Sequence, residues 1–482
     1  MSNEVGKLPS TVPLPIQEND LTDIVSKSKD WALMHGISMR SKTNFTEDGV
    51  QISPFILVPT AIPRQEFVKV VELQTTLQEL LHKIANNKEF INDCYKDIVE
   101  ADDFSARLYK MYEQVEEEGT VQKIAMVHLR SDYLMQSSSN NNLKQVEFNT
   151  ISASFASLSS FITDFNKYVL QELGYPEKLK NIPSNTSLIG LAEGLAEAWS
   201  IYNNPNACIL FVVEKTVYNI ADQRFIEFEI NRLFPKIKII RRMFSYICEQ
   251  GSLNDKRELI IDNNIVAVTY FRDGYAPSNF PTEKEWAARL LIERSASIKC
   301  PDIKYHLIGQ KKVQQELTKS GVLEKFLTET KKIEAVREVF MGIYGLEFDE
   351  HGDRAVQMAL EKPENFVLKP QREGGGYNIY DNDIKELMLK IQNTKERLSY
   401  VLMERIFPPT STGYMIVPGA SNPPSLVDLV SELGIYGILI SDNEKIIVNK
   451  QVGHMLRSKA STSNEGGVLA GAGALDCPYL FD

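Results

Sequence analysis

The chain is predicted to adopt a mixed α/β (α+β) fold, and three features of its sequence support this prediction. Between residues 203 and 303, apolar runs of strand length alternate with segments of helix length, which is typical of a parallel α/β unit. After residue 304, β-rich segments surround a glycine-rich loop, which indicates an antiparallel layer over a ligand. With 482 residues, the chain has room for about two to four domains.

The first block, residues 1–202, begins with a polar segment punctuated by prolines, and no helix or strand is predicted over residues 1–20. An amphipathic helix is predicted over 68–87, where apolar residues recur at helical spacing. A run of Ser and Asn is typical of a turn. It separates two predicted strands, and a further helix follows; these elements are the strands 124–129 and 144–148, the turn 137–142 and the helix 188–201.

The second block, residues 203–303, begins with the apolar run 207–213, which is predicted to be a buried strand. The sequence Asp262-Asn263-Asn264 between two apolar runs predicts a β-hairpin. The remaining elements predicted in this block are a helix over 227–234, a strand over 237–240, the hairpin strands 260–261 and 265–271, and a helix over 283–295.

The third block, residues 304–482, is predicted to contain mostly antiparallel strands, and a lid is placed at about 345–425. A second loop of small residues spans 466–473. The predicted elements are strands over 365–368, 400–403, 433–440 and 445–449 and a helix over 383–392.

Composition excludes several classes of function. The formal net charge of -11 argues against binding to nucleic acid or an anionic membrane, which requires a basic field. The five cysteines show no metal-binding spacing, which indicates reduced thiols in a cytoplasmic protein. The first residues are polar, and no apolar run approaches the ~20 residues of a membrane span. We therefore expect a cytoplasmic protein.

The strongest indication of chemistry is the segment Lys369–Gly376, Lys-Pro-Gln-Arg-Glu-Gly-Gly-Gly, which directly follows a predicted strand. Glycine backbone N–H groups can approach phosphate oxygens without steric hindrance from a Cβ atom. Lys369 offers positive charge, and Glu373 offers an oxygen ligand of the type Mg²⁺ prefers. The segment matches neither GxxxxGK[ST] nor GxGxxG. A solvated loop is the alternative, but the adjacent Lys and Glu favour phosphate binding.

A second candidate site lies in the predicted strand that ends near Phe148. Glu147 and Asn149 are two residues apart, so in a regular strand their side chains point to the same face. A carboxylate and an amide oxygen on one face can form half of an Mg²⁺ site. The polar face of an edge strand explains the same pattern, and the spacing alone does not separate these alternatives.

Several cations follow predicted strands or helix starts. Arg130 is placed at the end of the strand 124–129, and Arg272 follows the strand 265–271; either can bind a carboxylate bidentately or form a surface salt bridge. Arg457 and Lys459 are predicted to share one face near the small-residue loop. Lys311 opens a predicted helix, where a solvated side chain is the alternative.

Other catalytic chemistry finds no support in the sequence. The six histidines show neither HxxxH nor HExxH spacing, and no GxSxG or Cys–His nucleophile pattern occurs. No histidine is therefore assigned a role. A protein kinase also has a glycine-rich ATP loop, but the sequence contains no HRD or DFG string.

Taken together, the motifs resemble those of the eukaryotic glutathione synthetase family of the ATP-grasp superfamily. The resemblance covers about the whole chain, from Trp31 to Pro478. The motifs that carry it occur in the order Ser131–Tyr133, Glu147–Ser152, Tyr270–Tyr275, Lys299–Asp302, Lys311–Gln315, Lys369–Gly376, Ser431–Gly434 and Leu456–Lys459.

The resemblance implies roles for individual residues. Glu147, Asn149 and Glu373 would bind Mg²⁺, with two ions per site. Catalytic roles would fall to Arg130, Lys369, Gly374 and Arg457. The residues implied to bind ATP are Lys311, Lys369, Glu373, Gly374, Gly375, Gly376, Asn378, Tyr380, Met403, Glu404, Arg405, Ile406, Glu432, Lys459 and Glu465. Those implied to hold γ-glutamylcysteine or glycine are Arg130, Ile151, Ser152, Ala153, Ser154, Asn219, Gln223, Arg272, Asp273, Gly274, Tyr275, Arg457, Val468 and Leu469.

The resemblance also implies an architecture and partners. The expected fold is a circularly permuted ATP-grasp, with 1–202 and 304–482 forming the nucleotide-binding body and 203–303 an inserted substrate domain. A glycine-rich lid would close at 374–376. The expected assembly is a homodimer, and the expected reaction joins γ-glutamylcysteine and glycine through an acyl phosphate.

Two positions depart from the family pattern. Tyr377 follows the three glycines where the family commonly has Asn, and Leu469-Ala470 stands where most members have Ala-Ala. Relatives that accept β-alanine also differ at the second position, so an enzyme using β-alanine is one alternative. A non-catalytic ATP-binding relative is another, although the retained Lys and Glu residues argue against it.

Overall fold

The computed structural model describes residues 6–373, 375–464, 466–468 and 471–482. Its α-helices are α1 Glu18–Met34, α2 Arg64–Ala85, α3 Lys88–Tyr95, α4 Asp103–Glu118, α5 Ala156–Glu172, α6 Ser187–Tyr202, α7 Ile220–Leu233, α8 Phe244–Gln250, α9 Glu283–Glu293, α10 Ile303–Ile308, α11 Lys311–Thr318, α12 Leu323–Phe326, α13 Thr330–Val339, α14 Glu350–Glu361 and α15 Asp381–Ile391.

The β-strands are β1 Ser38–Met39, β2 Gln51–Ile52, β3 Phe55–Ile56, β4 Thr60–Pro63, β5 Ala125–Gln136, β6 Asn142–Asn149, β7 Cys208–Val212, β8 Lys238–Arg242, β9 Ser252–Leu253, β10 Leu259–Ile261, β11 Asn264–Phe271, β12 Ile298–Cys300, β13 Ile343–Gly345, β14 Phe366–Pro370, β15 Ile379–Tyr380, β16 Tyr400–Glu404, β17 Ser411–Ile416, β18 Leu426–Ser441, β19 Ile446–Ala460, β20 Gly473–Asp476 and β21 Pro478–Phe481. The fold is therefore mixed α/β, as predicted.

The parallel unit predicted in the second block is present. Strands β12, β11, β7 and β8 pair in parallel, and β12 also pairs in parallel with β5. The hairpin prediction is confirmed, because β10 and β11 are antiparallel and Asp262 and Asn263 both have positive φ. This parallel unit thus continues directly into the main sheet through β5.

The long strand β18 joins two parts of the main sheet. Its first residues pair with β17, whereas Glu432 to Ser441 pair with β5 along the same edge. On its other edge, β18 pairs with β19. From β19 the pairing continues to β20, then to β3, and then to β17, which pairs with β18 again. These five strands form a closed ring, so β20 is a central strand with partners on both sides.

Both faces of the main sheet are covered, because its strands carry apolar side chains on both sides. One core packs helices α2 and α4 against residues such as Leu129 and Leu433. The other packs α5 and α6 against residues such as Ile438 and Met455. Helix α6 lies very close to the sheet, since a Cβ atom at Gly194 would lie 2.9 Å from the Ile438 side chain.

A second, smaller sheet has its own core. Strands β13, β16, β14 and β15 are antiparallel, and α14 and α15 cover one face through residues such as Ala359 and Met388. On the opposite face, Met403 and Ile406 pack with Leu134 and Val146 of the main sheet. The two sheets therefore meet across a cleft with an apolar floor.

Several predicted elements have different bounds in the structure. The strands predicted over 433–440 and 445–449 extend over Leu426–Ser441 and Ile446–Ala460, and helix α1 begins at Glu18, inside the segment 1–20 for which no element was predicted. The strand predicted to end at residue 129 continues to Gln136, because Arg130, Ser131 and Asp132 pair with both β18 and β6 despite their polar side chains. The helix predicted over 227–234 begins earlier, at Ile220. Its first turn carries the polar residues Asp222 and Gln223, so an apolar pattern does not reveal it, and Gln223 lines the cavity.

No helix among the described residues combines the length and apolar character that spanning a bilayer requires.

Candidate active site

A cavity of about 850 Å³ lies in the cleft between the two sheets. Strands β5, β6, β18 and β19 contribute one wall, and β14, β16 and the start of α11 contribute the other. The parallel unit closes one end through residues that follow the carboxyl ends of β7 and β11, where open α/β sheets usually bind ligands. One cavity thus brings together residues from all three blocks of the sequence.

A β-bulge in β6 shapes the main-sheet wall. Asp132 pairs with Glu147 and Tyr133 pairs with Gln145, so Val146 is an extra residue in its strand. Bulges break the strict alternation of side chains and can redirect one of them. As a result, Val146, Glu147 and Asn149 all line the cavity.

Two carboxylates and a lysine converge at the centre of the cavity. The Nζ atom of Lys311 lies 3.1 Å from Glu147 Oε2 and 3.2 Å from Glu373 Oε1. Lys311 is buried at the first residue of α11, so the alternative of a solvated side chain is wrong. This ion pairing offsets the cost of burying the lysine's charge.

The charges in this cluster perturb one another. Burial disfavours the Glu147 anion, but the charges of Lys311 and Lys369 outweigh burial and hold the pKa of that carboxyl below its usual range. Burial, with the nearby charge of Glu147, raises the pKa of Glu373. Two carboxyl groups with pKa values displaced in opposite directions are typical of a functional site.

Lys369 extends from β14 across the cleft. Its Nζ atom donates a 2.9 Å hydrogen bond to the backbone oxygen of Val146, so the bulge provides its anchor. Burial, together with the charge of Lys311, lowers the pKa of Lys369. The next part of the segment is held by Gln371, whose Oε1 accepts from the backbone N–H of Lys312 at 3.1 Å.

A second charged network lies beside the first on β5, β18 and β19. The Arg130 guanidinium donates to both carboxylate oxygens of Asp132, from Nε to Oδ1 at 2.6 Å and from Nη2 to Oδ2 at 2.8 Å. Arg457 Nε lies 2.9 Å from Glu432 Oε1, and its Nη2 lies 3.9 Å from Asp132. Arg130 lies in the middle of β5, so its predicted position at a strand end is wrong.

The apolar part of the cavity is lined by Met403, Ile406, Leu134, Val146 and Val367. Glu404, between the first two in sequence, accepts a 2.8 Å hydrogen bond from the Tyr344 hydroxyl. Apolar side chains with hydrogen-bonding groups beside them are suited to an aromatic base.

The glycine-rich segment lies at the mouth of the cavity. Gly375 and Gly376 have φ values of +72° and +81°, a backbone conformation that residues with a Cβ rarely adopt. They line the cavity together with the predicted residues Asn378, Tyr380, Arg405, Lys459 and Val468. Arg405 Nη2 donates to Asn464 Oδ1 at 3.2 Å, which links this mouth to the second small-residue loop. Gly374, Glu465 and Leu469 lie outside the described residues.

The opposite end of the cavity is built on the turn between β6 and α5. Ser152 and Phe155 have positive φ, and Asp222 stabilises this turn by accepting from the backbone N–H groups of Phe155 and Ser157 at 2.8 and 3.0 Å. Arg272 donates to the backbone oxygen of Ala153 at 3.0 Å. Ile151, Ser154, Asn219, Gln223 and Tyr275 also line this end.

Two predicted substrate residues do not line the cavity. Asp273 points inward and accepts from the backbone N–H of Gly274 at 2.8 Å, while Gly274 packs against the Phe244 ring. Burial, together with the charge of Glu214, raises the pKa of Asp273 to about 7. These residues form the turn that presents Tyr275 to the cavity.

Several cavity residues were not predicted from the sequence. Leu134, Val146 and Val367 read as ordinary core positions, and Lys42, Tyr218 and Glu214 belong to loops without a recognisable motif. The spacing of Leu134, four residues after Arg130, and of Val367, two residues before Lys369, offered a signal, since alternate residues of a strand share a face.

The donor set of the central cluster suits a hard divalent cation. Among the described residues, no three His, Cys, Asp or Glu side chains are grouped as a metal site. Glu147 and Asn149 on β6, with Glu373 from the opposite wall, nevertheless offer the oxygen ligands that Mg²⁺ takes alongside phosphates and water. The two carboxylates already converge on one cation, the Lys311 ammonium.

Comparison with known proteins identifies close relatives. A family described as "Eukaryotic glutathione synthase, ATP binding domain" matches residues 18–480. The chain is 40% identical to the glutathione synthetases of Rattus norvegicus and Homo sapiens over 466 residues, which cover 96% of this chain and 97% of each relative. A glutathione synthetase-like effector from Globodera pallida has a similar fold, with a TM-score of 0.79 at 24% identity over 98% of this chain and 100% of that one.

Proposed function

Because this chain belongs to the eukaryotic glutathione synthase family, we propose that the cavity is its active site and that it ligates γ-glutamylcysteine and glycine at the expense of ATP. The chain is an ATP-dependent ligase of glutathione biosynthesis. The observation that carries the assignment of the site is the convergence of Lys311, Lys369, Glu147 and Glu373 on one cavity.

The reaction requires activation of a carboxylate, which is a poor electrophile because oxide would have to leave. Transfer of the γ-phosphoryl group of ATP to the cysteinyl carboxylate gives an acyl phosphate. Attack by the glycine amine then forms the peptide bond and releases phosphate. In such phosphoryl transfer, the protein mainly positions the reactants and stabilises charge.

For the nucleotide, we propose that Lys311 and Lys369 bind the phosphates, with the backbone of Gly374–Gly376 over them. Met403 and Ile406 would pack against the adenine, near Glu404 and Arg405. Glu432 would accept from the ribose hydroxyls. Asn378, Tyr380, Lys459 and Glu465 would complete the nucleotide site.

We assign Mg²⁺, two ions per site, to Glu147, Asn149 and Glu373. When bound, Mg²⁺ would neutralise charge on the phosphate oxygens. Glu147 and Glu373 would hold the cation, and Lys311, which pairs with both carboxylates in this structure, would then be available to the phosphates. The low pKa of Glu147 keeps this ligand ionised at neutral pH.

For the dipeptide and the incoming amino acid, the arginines that line the cavity provide partners for carboxylate groups. Arg272, with Ser152, Ala153, Gln223 and Tyr275, would hold the γ-glutamyl end. Arg130 would stabilise charge on the acyl phosphate, because it lies on the cavity wall beside the metal ligand Asn149. Arg457, with Val468 and Leu469, would bind the incoming amino acid through its carboxylate.

The architecture supports the circularly permuted ATP-grasp with an inserted substrate domain at 203–303. The four-stranded sheet has a separate core, which is what a lid that moves as a unit requires. Closure over the cavity would exclude water, which otherwise hydrolyses an acyl phosphate. A cross-link between the lid and the main sheet that preserves the fold and leaves full turnover would contradict this role.

A homodimer is the proposed assembly, and the cytoplasm is the proposed location. Leu33 and Met34 at the end of α1 are 43% and 81% exposed, and Phe228 is 57% exposed. The Phe228 ring lies 6.0 Å from the Phe225 ring, which packs against Gly36, just after α1. Apolar side chains clustered on a surface are typical of protein interfaces. Sedimentation of a species with the mass of one chain at micromolar concentration would contradict the dimer.

The test of the function is ADP release from Mg-ATP and γ-glutamylcysteine, with glycine, β-alanine or neither added. We expect turnover that depends on glycine. A preference for β-alanine would keep the mechanism and change the acceptor, which the departure at Leu469 makes a specific alternative. Absence of ADP under every condition would overturn the assignment.

A further inference from the structure

Asp132 contacts two residues of the proposed active site, Arg130 and Asn149, but has itself been given no role so far. Its side chain is fully buried on β5, opposite Glu147 of β6 and Gly434 of β18. Oδ1 accepts from Arg130 Nε at 2.6 Å, and Oδ2 accepts from Arg130 Nη2 at 2.8 Å. Oδ2 also accepts from the side-chain amide of Asn149 at 2.9 Å.

The backbone is built around this arrangement. A Cβ atom at Gly434 would lie 2.7 Å from Arg130 Cδ and 2.8 Å from Asp132 Oδ1. Any larger residue at this position would therefore displace the ion pair. Glycine on β18 leaves the space that the Arg130–Asp132 pair occupies.

The contacts of Asn149 determine which way its amide points. The Nδ2 group faces Asp132 Oδ2 at 2.9 Å and the backbone oxygen of Arg130 at 3.4 Å. Both partners are acceptors without a proton to donate. A flipped amide would place its oxygen against two other oxygens, so the hydrogen-bond network allows one orientation. The Oδ1 atom of Asn149 is thereby left for another partner.

We propose that Asp132 is a positioning residue that fixes the Asn149 amide with its oxygen toward the cation and holds the Arg130 guanidinium beside it. This inference rests on the magnesium site proposed above. Groups that orient metal ligands typically change metal affinity by 10–100-fold when they are removed. Asp132 itself does not line the cavity, and its two oxygens together accept three hydrogen bonds from Arg130 and Asn149.

The test measures binding of Mn²⁺, by the electron paramagnetic resonance signal of the free ion, in the presence of a nonhydrolysable ATP analogue. Asp132→Asn and Asn149→Ala should each weaken Mn²⁺ binding about 10–100-fold. The double variant should bind no more weakly than the weaker single variant, because Asp132 acts through Asn149. Multiplying effects would overturn the proposal.

The matched control is Glu293→Gln, which removes another buried carboxylate that pairs with an arginine, Arg289, away from the cavity. It should lower the melting temperature and leave Mn²⁺ binding unchanged. If Asp132→Asn unfolds, Gly434→Ala serves instead, because the added methyl group displaces the ion pair without changing charge; it should also weaken Mn²⁺ binding.

Two failures are distinguishable. Normal Mn²⁺ binding by Asn149→Ala would show that the proposed ligand set is wrong, and the inference would fall with it. Weakened binding by Asn149→Ala but normal binding by folded Asp132→Asn and Gly434→Ala would overturn the positioning role alone.

Discussion

Two buried ionic networks in this molecule are built from similar charged groups, but one lines a cavity and the other is enclosed by protein. In the cleft, Lys311 lies between Glu147 and Glu373 on the wall of a large cavity. In the parallel unit, Arg289 pairs with Glu293 at 2.8 Å, and its guanidinium stacks 3.9 Å from the centre of the Phe271 ring.

The difference lies in what else the charges can reach. Glu293 also accepts from the backbone N–H of Ile303, and Lys299 donates to the backbone oxygen of Ser295. Protein groups thus enclose this network, which we call the closed network, although Arg289 Nη1 has no hydrogen-bond partner among the described residues. Burial nevertheless lowers the pKa of Lys299 to about 8. A perturbed pKa therefore does not by itself indicate function. The cleft network is distinguished by its access to a cavity that a ligand can enter.

The largest expected effect is in the cleft. Lys369→Ala and Glu373→Ala should each lower kcat/KM on the order of a thousandfold, because the proposed phosphate contact of Lys369 and the proposed Mg²⁺ held by Glu373 would both offset charge that develops on the phosphates. The fold should persist, as judged by circular dichroism and the melting temperature. Lys395→Ala, at an exposed ion pair with Glu100, is the control. Activity near that of the wild type in either cleft variant would contradict the functional role proposed for the cleft network.

The closed network should show the reverse pattern. Glu293→Gln leaves Arg289 without its buried partner, which typically costs about 3–5 kcal/mol of unfolding free energy. The kcat of the folded variant should be unchanged. Urea denaturation and steady-state kinetics measure the two effects. A large loss of kcat with unchanged stability would show that this network is functional after all.

A smaller effect is expected from His128, which lies behind the cleft with both ring nitrogens unpartnered and its ring stacked on Tyr436. Burial and the charges of Arg272 and Arg130 lower the pKa of His128 to about 3. The unfolded chain, with a pKa of about 6.5, binds the proton more readily, so stability falls as the pH drops below about 6.5 toward 3. Between pH 7.5 and 5 the loss is about 2 kcal/mol.

His128→Phe keeps the stacking and removes this titration. The unfolding free energy of the variant should therefore decline less between pH 7.5 and 5 than that of the wild type. Denaturation at a series of pH values tests this expectation. Parallel pH profiles for the two proteins would contradict it.

The smallest effect belongs to the helix start beside the closed network. Thr282 accepts from the backbone N–H of Lys284, and Glu285 accepts in return from the Thr282 backbone, which is a capping box. Thr282→Ala should cost about 1 kcal/mol of unfolding free energy, with no change in KM for any substrate. A change in KM for γ-glutamylcysteine would link this helix to the site.

The sequence predicted the chemistry of the site better than its geometry. The segment Lys369–Gly376 carries its own local signal, because a strand, a cation and glycines are adjacent. The parallel unit was also predictable, since buried strands and the Asp262-Asn263 turn have strong local patterns. The specific residues Lys311 and Arg272 were suggested by position and by resemblance.

What could not be predicted depends on pairing between distant strands. The bulge at Val146 arises from the register of β6 against β5, and neither strand shows it alone. Arg130, Ser131 and Asp132 resemble the end of a strand because they are polar, yet the pairing of β5 with β18 continues through them. From the sequence, a solvated side chain was one alternative for Lys311. Only the fold shows that two carboxylates lie beside it.

The central position of β20 has a consequence for synthesis on the ribosome. Residues 473–476 pair with β19 on one side and with β3, from the first sixty residues, on the other. The ring of strands that carries Arg457 and Lys459 therefore cannot close until these late residues have been made. A stop codon shortly before residue 473 would delete a central strand rather than trim an edge. Nearly complete translation products would then be substrates for proteolysis rather than partly active enzymes.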